Sequence, residues 1–184
     1  MRRRTLIAST GALVALAGTA VAQPADLENT IYLDIKQGRV VIQLLPGIAP
    51  AHVARIKTLA RQGFYDNTPF HRVIEGFMAQ GGDPTGTGMG GSKLPNLKAE
   101  FTVQRQFLRG VCGMARSGDP DSANSQFFIM FAPSPPLNGQ YTIWGQVAAG
   151  MEFVDQIKRG GAGDNGKVTE PERIVRMRVA ADVK

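Results

Sequence analysis

The chain has 184 residues, with 21 Lys and Arg against 15 Asp and Glu and a formal net charge of +6. Hydrophobic residues make up 43% and charged residues 20%, which excludes a disordered chain and a bundle of membrane helices and leaves one globular domain with a substantial core. A single cysteine, Cys112, excludes an intramolecular disulfide, and with only His52 and His71 beside it no structural zinc site is expected.

Residues 1–22 read as an export signal. Arg2, Arg3 and Arg4 form a basic start, an uncharged run of small apolar residues follows, and Ala20-Val21-Ala22 is an A-x-A cleavage site. The alternative is a membrane anchor, but the run from Leu6 to Val21 is 16 residues long and rich in Gly, Ala and Thr, short of the ~20 needed to span. Arg3-Arg4 before Thr5-Leu6 loosely resembles a twin-arginine signal, so either export route is open. Cleavage would turn 21 basic residues into 18 and leave a net charge of +3. There is no basic stripe, so no nucleic-acid partner is expected; the cluster of Arg173, Arg176 and Arg178 reads as a solvated face.

Residues 23–29 read as a flexible linker, and the domain proper as 30–184. Ile31-Tyr32-Leu33-Asp34-Ile35 and Val40-Val41-Ile42-Gln43-Leu44 flank Gln37-Gly38 and predict a β-hairpin. Pro50 opens a helix whose Val53, Ile56, Leu59 and Ala60 recur at helical spacing until Gly63. His52 falls outside that apolar stripe and reads as surface.

Phe70-His71-Arg72-Val73-Ile74-Glu75-Gly76-Phe77-Met78-Ala79-Gln80-Gly81-Gly82 begins as an alternating strand and ends in a glycine break. One arginine, two bulky apolar residues and an amide so close together suit an apolar pocket with one strong donor at its rim. Gly86, Gly88 and Gly91 then match G-x-G-x-x-G, but Pro95 opposes the helix that a dinucleotide site requires, and the match is read as accidental.

Short strands follow at residues 111–115, 126–130 and 141–147, then a helix near 151–158 and a last strand at 174–180. Phe127 and Phe128 are adjacent, so on a strand they face opposite sides. Trp144 and Phe131 read as core, and Cys112, in an apolar run, as a small buried hydrophobe. Many short strands with two helices predict an all-β dominated, closed antiparallel structure whose ends the helices cover.

The stretch from Phe70 to Asp83 closely resembles the signature of the cyclophilin-type peptidyl-prolyl cis-trans isomerases. Met114-Ala115-Arg116 with Asn124-Ser125-Gln126-Phe127-Phe128-Ile129 is similar to the family's second motif. Leu137-Asn138-Gly139 with Tyr141-Thr142-Ile143-Trp144-Gly145 resembles the third. The resemblance implies a closed eight-stranded antiparallel β-barrel capped by two α-helices. It implies isomerisation of X-Pro bonds without cofactor or metal, on proline-containing unfolded or partly folded proteins, by a monomer free of the membrane once its signal is cleaved.

Carried over by position, the resemblance makes Arg72 catalytic. Phe77, Met78, Phe128 and Leu137 would form the proline pocket, with Gln80 and Gln126 at its rim and Ala115 and Arg116 offering backbone contacts. Tyr141 stands where relatives carry a site-lining histidine and keeps a ring with a polar tip. Arg116 stands where many have asparagine. Pro136 replaces the tryptophan of animal cyclophilins, which implies weak cyclosporin binding. A peptide-binding holdase that uses the same groove is the alternative function.

Overall fold

The computed structural model describes residues 26–184. The export signal and residues 23–25 of the expected linker lie outside them. The remainder of that linker is ordered: Leu27–Asn29 form a 3-10 turn, with the Asp26 side chain accepting from Asn29 N. Glu28 on this turn meets Lys57 Nζ and Arg61 Nη2, both at 2.8 Å, so ion pairs to the first helix fix a segment whose composition reads as linker.

The expected hairpin comprises β1 (Thr30–Ile35) and β2 (Gly38–Leu44), with Tyr32 opposite Val41 and Asp34 opposite Arg39. Ile31, Leu33, Ile35, Val40, Ile42 and Leu44 face inward and are buried, the period of two that a half-buried strand requires. Helix α1 (Pro50–Arg61) buries the apolar stripe of Val53, Ile56, Leu59 and Ala60.

His52 departs from expectation. It is fully buried, because the segment around Glu100 folds across the start of α1. Ala49 supplies no side-chain cap. Instead Glu100 accepts from the backbone N–H of Ala51 and of His52, each at 3.0 Å, and from His52 Nδ1 at 2.6 Å. A carboxylate from 48 residues away thus satisfies orphan donors at the positive end of the helix. Burial holds the His52 ring below its usual pKa, against the pull of Glu100. Burial alone would raise the Glu100 carboxyl, but the Ala51 N–H and the His52 contacts hold it below the usual carboxylate range.

The Phe70–Gly82 stretch is a hairpin rather than one strand. It consists of β3 (Arg72–Ile74) and β4 (Met78–Gly81), turned at Gly76, where φ is 66°. Strands β5 (Val111–Met114), β6 (Phe127–Met130) and β7 (Ile143–Ala149) follow. The second helix, α2 (Met151–Val154), is a single turn, because Gln156 and Ile157 donate to residues three back, not four. Strand β8 (Arg176–Val179) ends the sheet. Arg176 and Arg178 are tied to Asp34 and Asp66.

The sheet is antiparallel throughout, in the order β3-β4-β6-β5-β7-β2-β1-β8. It is open, not closed as expected: β3 and β8 form its two edges. Irregular backbone ahead of β8 laces the gap. Asn67 N reaches Ile174 O at 2.8 Å, Phe70 N reaches Glu172 O at 2.9 Å, and Val73 N reaches Gly166 O at 2.8 Å. Glu170, at a φ of 53°, kinks this segment, and Pro171 has no N–H to donate, so no regular ladder forms there.

Two apolar clusters lie on opposite faces of the sheet. The larger holds Trp144, Phe127, Phe131, Cys112 and Tyr65 under α1; the smaller holds Met78, Phe107, Phe128 and Met130. Burial pushes the Cys112 thiol pKa up, consistent with a core role.

Folded His52 binds its proton more weakly than the unfolded chain, whose value is near 6.5. Its contribution is therefore fully present above that pH and is lost as pH falls toward the folded value. Thermal unfolding from about pH 8 to about pH 5 is expected to show stability falling as pH falls, with the slope reduced in His52→Gln. An unchanged slope in that variant would contradict the assignment.

Candidate functional site

The smaller cluster opens into a cavity of about 510 Å³ lined by Arg72, Phe77, Met78, Gln80, Ala115, Arg116, Phe128, Leu137 and Tyr141. Strand register brings these together. Arg72 lies opposite Gln80 across β3 and β4, Gln80 opposite Phe128 across β4 and β6, and Gly113 opposite Phe128 across β5 and β6. Gly113 is required here: a Cβ would lie 2.5 Å from Phe128 Cζ and 2.7 Å from Phe107 Cε1. Without it, Phe107 and Phe128 stack at 5.6 Å between centroids, and Tyr141 meets Phe128 edge-on at 5.8 Å. Leu137 comes from the proline-stiffened turn Pro135–Leu137, on which Pro136 is exposed.

Arg72 is half-buried, and its hydrogen-bond partners are all neutral. Its Nη1 donates to Gln80 Oε1 at 3.1 Å, its Nε to Asn165 O at 3.0 Å, and its Nη2 to Asn165 Oδ1 at 2.9 Å. Burial lowers its pKa, but a guanidinium remains charged at any working pH. Gln80 Nε2 donates in turn to Gln126 Oε1 at 3.0 Å, and Gln126 Nε2 to Gly88 O at 3.0 Å and Gly90 O at 2.8 Å. The chain of donors fixes which way each amide points, so the Gln80 oxygen faces the guanidinium.

Nine of the ten predicted site residues line the cavity. Gln126 lines a second hollow of about 560 Å³ beside it and reaches the first only through Gln80. Composition and motif reading missed Asn165, Lys167, Asp164 and His71, which also line the cavity. Asn165-Gly166 is a turn signal, and Asn165 is left-handed with a φ of 52°; only the fold tells that this turn lies beside Arg72. Burial holds the His71 ring below its usual pKa.

The G-x-G-x-x-G match has a structural cause. The loop wraps the buried Asp83, which accepts from the N–H of Thr85 at 2.8 Å, of Gly88 at 2.7 Å and of Gly90 at 3.1 Å. A Cβ on Gly90 would sit 2.1 Å from Asp83 Oδ1. The glycines allow tight wrapping around a carboxylate and open no helix.

The cavity thus sets an apolar wall of Phe77, Met78, Phe128 and Leu137 against the cationic side chains of Arg72, Arg116 and Lys167. The family model for "Cyclophilin type peptidyl-prolyl cis-trans isomerase/CLD" matches residues 30–179. A protein of Brucella suis called a probable peptidyl-prolyl cis-trans isomerase is 47% identical over 193 residues, covering 99% of this chain and 98% of that one. A peptidyl-prolyl cis-trans isomerase-like 1 of Gibberella zeae is 38% identical over 159 residues, covering 85% and 98%.

Among solved structures, a cyclophilin of Hirschia baltica superposes with a TM-score of 0.77 at 28% identity, covering 86% of this chain and 76% of that one. A cyclophilin-type isomerase of Cryptosporidium parvum, crystallised in the presence of the dipeptide Ala-Pro, gives 0.74 at 29% identity, covering 82% and 98%. The chain belongs to the cyclophilin-type peptidyl-prolyl cis-trans isomerases. Its function is isomerisation of peptidyl-prolyl bonds.

Gln126→Ala removes the fixed partner of Gln80 while leaving the cavity walls in place. It is expected to lower kcat/KM by about tenfold, the equivalent of ~1.4 kcal/mol, in a proline-isomerisation assay. An unchanged rate would remove the positioning role of Gln126.

Proposed function

We propose that Arg72 is the catalytic residue and that the proline ring sits against Phe77, Met78, Phe128 and Leu137. The observation that carries this reading is a half-buried guanidinium held only by neutral acceptors and lining the same cavity as Phe77, Met78, Phe128 and Leu137. The ~18–20 kcal/mol barrier to rotation is loss of amide resonance. As the bond twists, the prolyl nitrogen regains a lone pair, to which Arg72 donates. That bond exists only in the twisted state, which is the condition for acceleration. A 10⁵-fold gain requires roughly 7 kcal/mol. A charge-assisted bond in a water-poor cleft supplies part of it, and a held ring and flank supply more. No proton moves and no covalent bond breaks.

The Ala115 and Arg116 backbone borders the groove where an extended peptide would lie, and Gln80 at its rim offers an amide. The substrates under this reading are proline-containing, unfolded or partly folded proteins. The basic start, apolar run and Ala20-Val21-Ala22 site support an exported role in folding, in the periplasm or beyond the cell, and the protein is proposed to act there as a monomer. With Pro136 exposed beside Leu137, the wall lacks a large flat ring there, in keeping with weak cyclosporin binding.

Arg72→Ala is expected to lower kcat/KM for a proline peptide by about 10²-fold or more, ~2.7 kcal/mol, with little change in the unfolding temperature. Full activity in that variant would remove Arg72 from the mechanism. N-terminal sequencing of the protein from its host is expected to begin at Gln23; a start upstream would contradict cleavage there.

A further inference from the structure

The second hollow is bordered by the polar, uncharged side chains of Ser92, Asn96, Ser122, Asn124 and Gln126, and its single charged side chain is Arg116. Arg116 lines the first cavity as well, on the saddle that the two share with Gln80, Gly88 and Ala115. Its guanidinium is pinned along two edges. The Nε donates to Gln140 O at 3.0 Å, and Nη1 to Ser117 O at 2.8 Å and Gly118 O at 3.4 Å. The plane lies over the Tyr141 ring at 4.6 Å, with Phe101 at 5.8 Å. Among the described residues Nη2 donates to nothing, and no carboxylate pairs with Arg116. Arg39, Arg61, Arg109, Arg159, Arg176 and Arg178, by contrast, each meet an acid.

The charge around the cleft is one-sided. Arg72, Arg116 and Lys167 line the main cavity against the single carboxylate of Asp164. A concave surface lined by one sign of charge focuses its field and raises the local concentration of the opposite charge. A planar fork already held in place, with Nη2 engaged by no acceptor among the described residues, loses little freedom on pairing with a carboxylate.

We propose that the cleft selects proline-containing segments that carry an aspartate or glutamate close to the proline, and that Arg116 is the residue that reads it. This rests on the assignment of the main cavity to the proline ring. The side chain of a neighbouring residue then reaches over the saddle, and its carboxylate meets Arg116 Nη2.

The test uses peptides with one proline, identical except for Glu, Gln or Lys scanned through the positions flanking it. For each, kcat/KM for isomerisation and Kd by NMR titration are measured with the wild-type protein, Arg116→Gln and Arg116→Lys. At one flanking position the wild type is expected to favour Glu over Lys by about tenfold, with Gln between, and the preference should shrink at high salt. It should fall to near unity in Arg116→Gln and survive in part in Arg116→Lys.

Because the readout is a ratio between peptides on one protein, a general loss of activity or of folded fraction does not imitate the result. A wild-type ratio near one at every position, or a preference that persists in Arg116→Gln, would overturn the proposal. If the peptides bound but none was isomerised faster, the reading of the main cavity would fail, while the Kd ratios would still decide the role of Arg116.

Discussion

A charge half out of water, with no counter-charge to quiet it, is the condition around which this site is built. A carboxylate beside Arg72 would make the guanidinium easier to bury but would cancel its field. The chain solves the burial with three neutral acceptors, two from Asn165 and one from Gln80. They engage three of the five guanidinium N–H groups without neutralising the field. Each acceptor is then fixed by something else: Gln80 by Gln126, Gln126 by two glycine carbonyls, and those glycines by a loop wrapped on Asp83. A buried carboxylate thus acts on the guanidinium through geometry and not through pairing.

The same logic separates the charges of the molecule into two kinds. Many of those on the outer surface are paired, as at Arg61 with Glu28 and Asp182 or Arg109 with Asp155, and such exposed pairs contribute little to stability. At the cleft, Arg72 and Arg116 are held by backbone carbonyls and amides and keep their field.

Much of the fold was legible because its elements are locally periodic. The first hairpin, the apolar stripe of α1 and the split of Phe127 from Phe128 follow from spacings of two and of three to four. The pocket residues were legible through motif resemblance. What was not legible depends on long-range folding. His52 reads as surface until Glu100 arrives across the start of its helix. Asn165 reads as a turn until the turn is seen against Arg72. Closure of the sheet reads as complete because strand counts do not reveal that Glu170 and Pro171 spoil the last ladder. Gln126 reads as a rim residue because a motif does not distinguish lining a pocket from holding the residue that does.

The alternation along β6 carries one further implication. Phe127 anchors the core against Tyr65 and Trp144, while Phe128 floors the pocket on the other face. Both outcomes come from a single strand with a period of two, so the core and the cavity share one reading frame. A slip of one residue in the pairing of β6 would send each ring to the other's place and destroy both at once. The ladder to β4 is therefore held by two demands at once, the packing of Phe127 in the core and the placing of Phe128 on the cavity wall.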